Sequence, residues 1–99
     1  FSLCNQTKNL ALISSVNGFG YYRYDSLDAN ALVDIDGYFN NNNLDQNLAI
    51  GDLIWAVDWD GAVRTGTIAG YGLHVVMAVA ANGDVDLAEA LAGNVTNTD

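Results

Sequence analysis

The spacing of apolar positions changes near Gly51. From residue 52 to 59, DLIWAVDW alternates, which puts Leu53, Trp55, Val57 and Trp59 on one strand face and Ile54 and Ala56 on the other. Asp60-Gly61 then reads as a tight hairpin turn, with residues 62–68 as the returning strand. AGYG at 69–72 reads as a further turn. LHVVMAVAA at 73–81 is almost continuously apolar and rich in β-branched residues, the pattern of a strand buried on both faces. Asn82-Gly83 makes the next turn, and residues 84–87 alternate again. The stretch LAEALAG that follows fits either a strand or a short helix. Turns at these intervals predict an antiparallel meander folded into a small barrel or sandwich.

The first half is less regular. NLALISSV at 9–16 is apolar enough for a short strand, and NGFG closes it with turn chemistry. Residues 1–20 read as an extended N-terminal arm, lying on its own domain or adding a strand to a neighbour's sheet. Residues 21–99 read as a single β-rich domain. YYRY at 21–24 favours a strand through its aromatics. DSLDANAL at 25–32 suits one short helix of two turns at most, with Asp25 as its cap. FNNNNLDQN at 39–47 reads as a loop at the surface, because its four asparagine side chains compete with regular backbone bonding.

Charge narrows the function. Lys8, Arg23 and Arg64 face twelve acidic residues, giving a net charge of −9. Binding nucleic acid requires clustered cations that displace counterions, so neither nucleic acid nor an anionic membrane suits this chain. No run of apolar residues is long enough to span a bilayer. Lys8 follows the first apolar residues, the wrong order for a secretory signal. Cys4 is the one cysteine, so no internal disulfide forms.

Candidate chemistry is sparse. His74 is the one histidine and lies in the most apolar segment, which fits a core or edge histidine better than a ligand. The acidic turns DIDG, DWDG and NGDVD lack the ligand spacing of a calcium loop and read as turn acids, with a weak calcium site at a subunit boundary as the alternative. Ser14, Ser15 and Ser26 lack a nucleophile elbow, and the glycines at 66, 70 and 72 have no lysine of a phosphate loop. These readings predict no enzyme, no metal and no cofactor. The aromatics remain. Tyr21, Tyr22, Tyr24, Tyr38, Phe39, Trp55, Trp59 and Tyr71 fit core or interface anchors, or a sugar site.

One ordered set of short motifs carries a resemblance. It runs Gly20, Tyr24, Ser26 and Asp28, then Gly37-Tyr38-Phe39-Asn40, then Leu48, Gly51-Asp52 and Ile54. In order and spacing it resembles a group of small tailed-phage virion proteins known as head fibre or head decoration (cement) proteins, over about residues 18 to 80. The resemblance implies a non-enzymatic protein on the outer capsid surface of a virion, assembled in a bacterial host cytoplasm. It also implies a homotrimer that bridges neighbouring subunits of the major capsid protein. On this reading Phe1, Leu3, Leu10, Leu12, Ile13, Tyr21, Tyr22, Trp59 and Tyr71 are the candidates for partner contact. Tyr24, Tyr38, Phe39, Gly51, Asp52, Ile54 and Trp55 are the candidates for the structural core, with Tyr38 and Phe39 plugging the base of the barrel beneath the helix. The competing expectation is a carbohydrate- or receptor-binding module of a head or tail fibre, with Trp59, Tyr71 or Tyr38 exposed on one rim.

Overall fold

The structure, a computed structural model, describes residues 9–44 and 47–92. It is mainly β, with strands β1 (Leu10–Val16), β2 (Phe19–Ser26), β3 (Phe39–Asn40), β4 (Leu53–Asp60), β5 (Thr67–Val79), β6 (Asp84–Leu87) and β7 (Leu91–Ala92). Among the described residues the one α-helix, α1, is a single turn, Asn30–Val33. The strands form one curled sheet in the order β1-β2-β4-β5-β6-β3, with β7 also on β5, so the sheet makes a half-barrel.

Most neighbours are antiparallel, but β2 and β4 run parallel, Tyr21 opposite Leu53 through Ser26 opposite Asp58. A parallel pair needs a crossover between its strands. The chain between them supplies it, and its described residues, 27–44 and 47–52, carry α1, β3 and a 3₁₀ turn at Asn41–Asn43. The expected meander is found in β4, β5 and β6. LAEALAG takes the strand alternative where it is described, since Leu91 and Ala92 pair with Leu73 and Gly72. β6 and β7 therefore lie end to end along one edge of β5.

Several expectations change. Of the arm expected at 1–20, residues 1–8, with Phe1 and Leu3, lie outside the described residues. The rest supplies β1 and the start of β2, joined at Asn17-Gly18 with φ of 54° and 85°. Two positive φ values in a two-residue loop match the twist of the flanking strands. Asp60-Gly61 makes no such turn, because pairing stops at Asp60 opposite Thr67 and residues 61–66 form a longer loop. The Gly66 N–H closes that loop on the Ala62 carbonyl at 2.9 Å. AGYG is no turn. It lies inside β5, with Gly70 and Gly72 opposite Asp58 and Ala56. Nor is β5 buried on both faces, since His74 and Val76 are buried while Met77 is 58% exposed.

On β4 the inward face carries Ile54 and Ala56, both buried; on the outer face Val57 is buried too, but Trp55 is only half-buried, so Trp55 is not a core residue. Curvature explains this. The concave side of a tightly curled sheet has room for Ile and Ala once tyrosines from β2 fill it. Gly51 is exposed too, in the turn before β4.

The core is Leu10, Tyr22, Tyr24, Val33, Tyr38, Phe39, Leu48, Ile54, Val76, Val85 and Leu87. Three rings dominate it. Phe39 packs edge-on against both Tyr24 and Tyr38, each at 4.9 Å between centroids, and the two tyrosines meet at 6.1 Å. Tyr38 and Phe39, expected in the core, are both fully buried. Phe39→Ala is expected to lower unfolding free energy by about 3–5 kcal/mol in a urea titration. A loss below about 1 kcal/mol would contradict the central place of this ring.

Candidate functional site

Two features join distant parts of the chain, one on each face of the sheet. On the concave face the Tyr38 hydroxyl donates to Asp28 Oδ2 at 2.5 Å. Its proton is thereby committed, so the Tyr24 hydroxyl donates to Tyr38 across the 2.8 Å that separates them. Asp28 is held in turn by its own N–H, which donates to Ser26 Oγ at 3.0 Å. Asp52 makes the matching tie at the other end of β2. Its Oδ1 accepts from the Gly20 N–H at 2.9 Å and its Oδ2 from the Ala49 N–H at 3.0 Å. Burial, together with the charge of Asp52, pushes the neighbouring Tyr22 phenol above its ordinary pKa.

The asparagine run belongs to the same framework. Asn40 Oδ1 caps the 3₁₀ turn by accepting from the Asn42 N–H at 2.8 Å. Asn40 Nδ2 donates to Asp84 Oδ1 at 2.8 Å, and Asn42 Nδ2 to the Asn82 carbonyl at 2.8 Å. Asn41 and Leu48 exchange two bonds of 2.9 Å. The expected surface loop is therefore a knot that ties the crossover to the β5–β6 turn. Gly83 makes this possible: its φ is 94°, and a Cβ there would lie 2.6 Å from Asn40 Oδ1.

On the outer face lies Asp25, a fully buried carboxylate. Arg23 donates to its Oδ1 from Nε at 3.2 Å and from Nη2 at 2.8 Å, and the Trp59 indole donates to the same oxygen at 3.0 Å. Arg64 donates to Oδ2 at 2.6 Å, reaching back from the 61–66 loop at a φ of 67°. Asp25 thus caps no helix; it gathers both arginines of the chain. Burial pushes its pKa up, but the bonds from Trp59 and Arg23 and the charges of Arg23 and Arg64 outweigh this, leaving it below the usual value.

Beside this cluster runs a trough of two joined depressions. The larger, about 440 Å³, is lined by Trp59, Gly66, Thr67, Ile68 and Tyr71. The smaller, about 270 Å³, is lined by Arg23, Trp55, Val57, Ile68 and Tyr71. Trp55 and Tyr71 pack together at 5.5 Å with their planes tilted by 35°.

The expected partner-contact residues separate. Trp59 and Tyr71 meet in the trough, Leu12 and Ile13 are exposed on β1, and Tyr21 is half-buried. Leu10 and Tyr22 are buried in the core and cannot contact a partner, because the β1–β2 hairpin turns both inward. His74 is a core histidine, fully buried, with Nδ1 at 3.0 Å from the Ala88 carbonyl. Sequence reasoning missed Asp25, Arg23 and Arg64. An arginine two residues before an aspartate was the only local hint. Among the described residues no group of three His, Cys, Asp or Glu side chains is placed to hold a metal ion, and no helix is long and apolar enough to cross a membrane. No family model, curated protein or solved structure matches the chain.

Two predictions follow from the carboxylates. A depressed pKa means that Asp25 stabilises the fold above the ordinary carboxylate value, and that this is lost as pH falls through its folded value. Asp25→Asn is expected to cost about 2–3 kcal/mol at pH 7, with the difference from wild type shrinking in acid. Asp58 is the reverse case: burial, then the charges of Asp28 and Asp60, raise its pKa. Its stabilising neutral form is complete below the ordinary value and lost as pH rises through the folded one. Asp58→Asn is expected to raise Tm by a few degrees at pH 7 and to change it little near pH 3, as read by thermal melts across pH.

Proposed function

We propose that this protein is a non-enzymatic structural component of a phage virion. It decorates the outer capsid surface and stabilises the shell by bridging neighbouring copies of the major capsid protein. The observation that carries the proposal is the amount of large apolar side chain that one copy leaves in water. Ile13 is 55% exposed, Phe19 50%, Ile50 68%, Met77 58% and Leu91 79%. Fully burying a large apolar side chain contributes about 1.5–3 kcal/mol, and the exposed half or more of each of these is what a second surface would cover, before association costs.

The resemblance in motif order supports the same reading. Of its residues, Tyr24, Asp28, Tyr38, Phe39, Asp52 and Ile54 belong to the concave framework, while Gly51 is exposed in the turn before β4. The net charge of −9 suits the outside of a shell better than contact with packaged DNA. A homotrimer engaging several capsid subunits gains avidity from linked weak contacts. The bridging surfaces are the exposed hairpin residues Leu12, Ile13 and Phe19 and the Ile50 and Met77 positions.

Co-sedimentation with purified expanded capsids lacking this protein tests the proposal. Saturable binding at a fixed ratio to capsid subunits is expected, together with greater resistance of the shell to heat. Ile13→Asp with Phe19→Asp is expected to weaken binding at least tenfold while leaving the circular dichroism spectrum unchanged. Absence of binding to such shells would refute the proposal.

A further inference from the structure

The outer face of the sheet carries more aromatic surface than the fold requires. The concave side is already filled by Tyr22, Tyr24, Tyr38 and Phe39, yet Trp55, Trp59 and Tyr71 stand half-buried on the opposite side. They are also held in place. The Trp59 indole is fixed by its bond to the buried Asp25, and Trp55 rests against Tyr71. Arg23 is fixed by two bonds to the same carboxylate, while its side chain stays 34% exposed along the smaller depression. Burying a carboxylate is costly, and here it sets an arginine and a tryptophan along one trough.

We propose that this trough binds an oligosaccharide of linked hexopyranose units. A pyranose ring has an apolar C–H face and a rim of hydroxyl groups. The C–H face stacks on the Trp55–Tyr71 pair, and the hydroxyls accept hydrogen bonds from the outer N–H groups of Arg23. Thr67, in the larger depression, adds a hydroxyl that both donates and accepts. Two depressions joined at Ile68 and Tyr71 form an elongated site, which fits successive rings of a chain better than one compact cofactor. Stacked nucleic-acid bases also use aromatics with arginine, but a chain of net charge −9 repels their phosphates. The inference stands apart from the shell-binding reading, since either surface can operate without the other.

The test uses the full chain on a printed array of neutral and carboxylated oligosaccharides, followed by tryptophan-fluorescence titration of the best-bound glycan. Reproducible binding to a related set of glycans is expected, with a saturable change in tryptophan emission. The neutral and carboxylated arms report whether Arg23 reads hydroxyls or a charged group. Tyr71→Ala is expected to weaken binding at least tenfold, and Glu89→Gln, at an exposed residue outside the lining of the trough, to leave it unchanged. If Tyr71→Ala does not fold, Ile68→Glu, at a side chain 45% exposed, takes its place with the same expected loss. The proposal is overturned if no glycan binds, if a folded trough variant binds as well as wild type, or if Glu89→Gln loses as much as they do.

Discussion

The fold depends on one buried contact set, the rings of Tyr24, Tyr38 and Phe39 with the hydroxyl chain that ends on Asp28. Tyr24 comes from β2, Phe39 from β3, and Tyr38 and Asp28 from the crossover. The set therefore locks the crossover beneath the sheet, where a parallel β2–β4 pair needs it. A buried tyrosine hydroxyl without a partner would cost about 1–3 kcal/mol. The relay satisfies both, and among the described residues no buried side-chain nitrogen or oxygen lacks a partner.

The two carboxylates that anchor β2 divide the labour between its ends and its faces. Asp52 accepts backbone N–H groups and fixes where β4 begins relative to β2. Asp25 accepts side chains and fixes what the outer face presents. One defines the fold and the other a surface. This separation explains how a small chain combines a tightly specified concave core with an outer trough and exposed apolar patches.

The strand character of residues 53–60 was legible because period-two alternation reports local geometry directly, and the turns at Asn17-Gly18 and Asn82-Gly83 because few residues accept positive φ. Tyr24, Tyr38, Phe39, Asp52 and Ile54, expected in the core, are buried. Which face of β4 turns inward was not legible, because Trp55 and Ile54 are both apolar and only the curl of the sheet decides between them. The length of the loop after Asp60 was hidden for a related reason: Asp-Gly permits a tight turn, but the reach of Arg64 to Asp25 belongs to a contact 39 positions away.

By itself the sequence determined a mainly β chain with one short helix, an acidic surface, and the aromatic residues from which both core and trough are made. These follow from side-chain period, charge count and turn chemistry, all of which are local. The tertiary structure alone decided that β2 and β4 run parallel and that the asparagine run is a bonded knot. It also decided that Asp25 collects Arg23, Arg64 and Trp59 along an aromatic trough. Each of these joins residues far apart in the chain, and such pairings are fixed by the closing of the sheet rather than by the order of neighbouring residues.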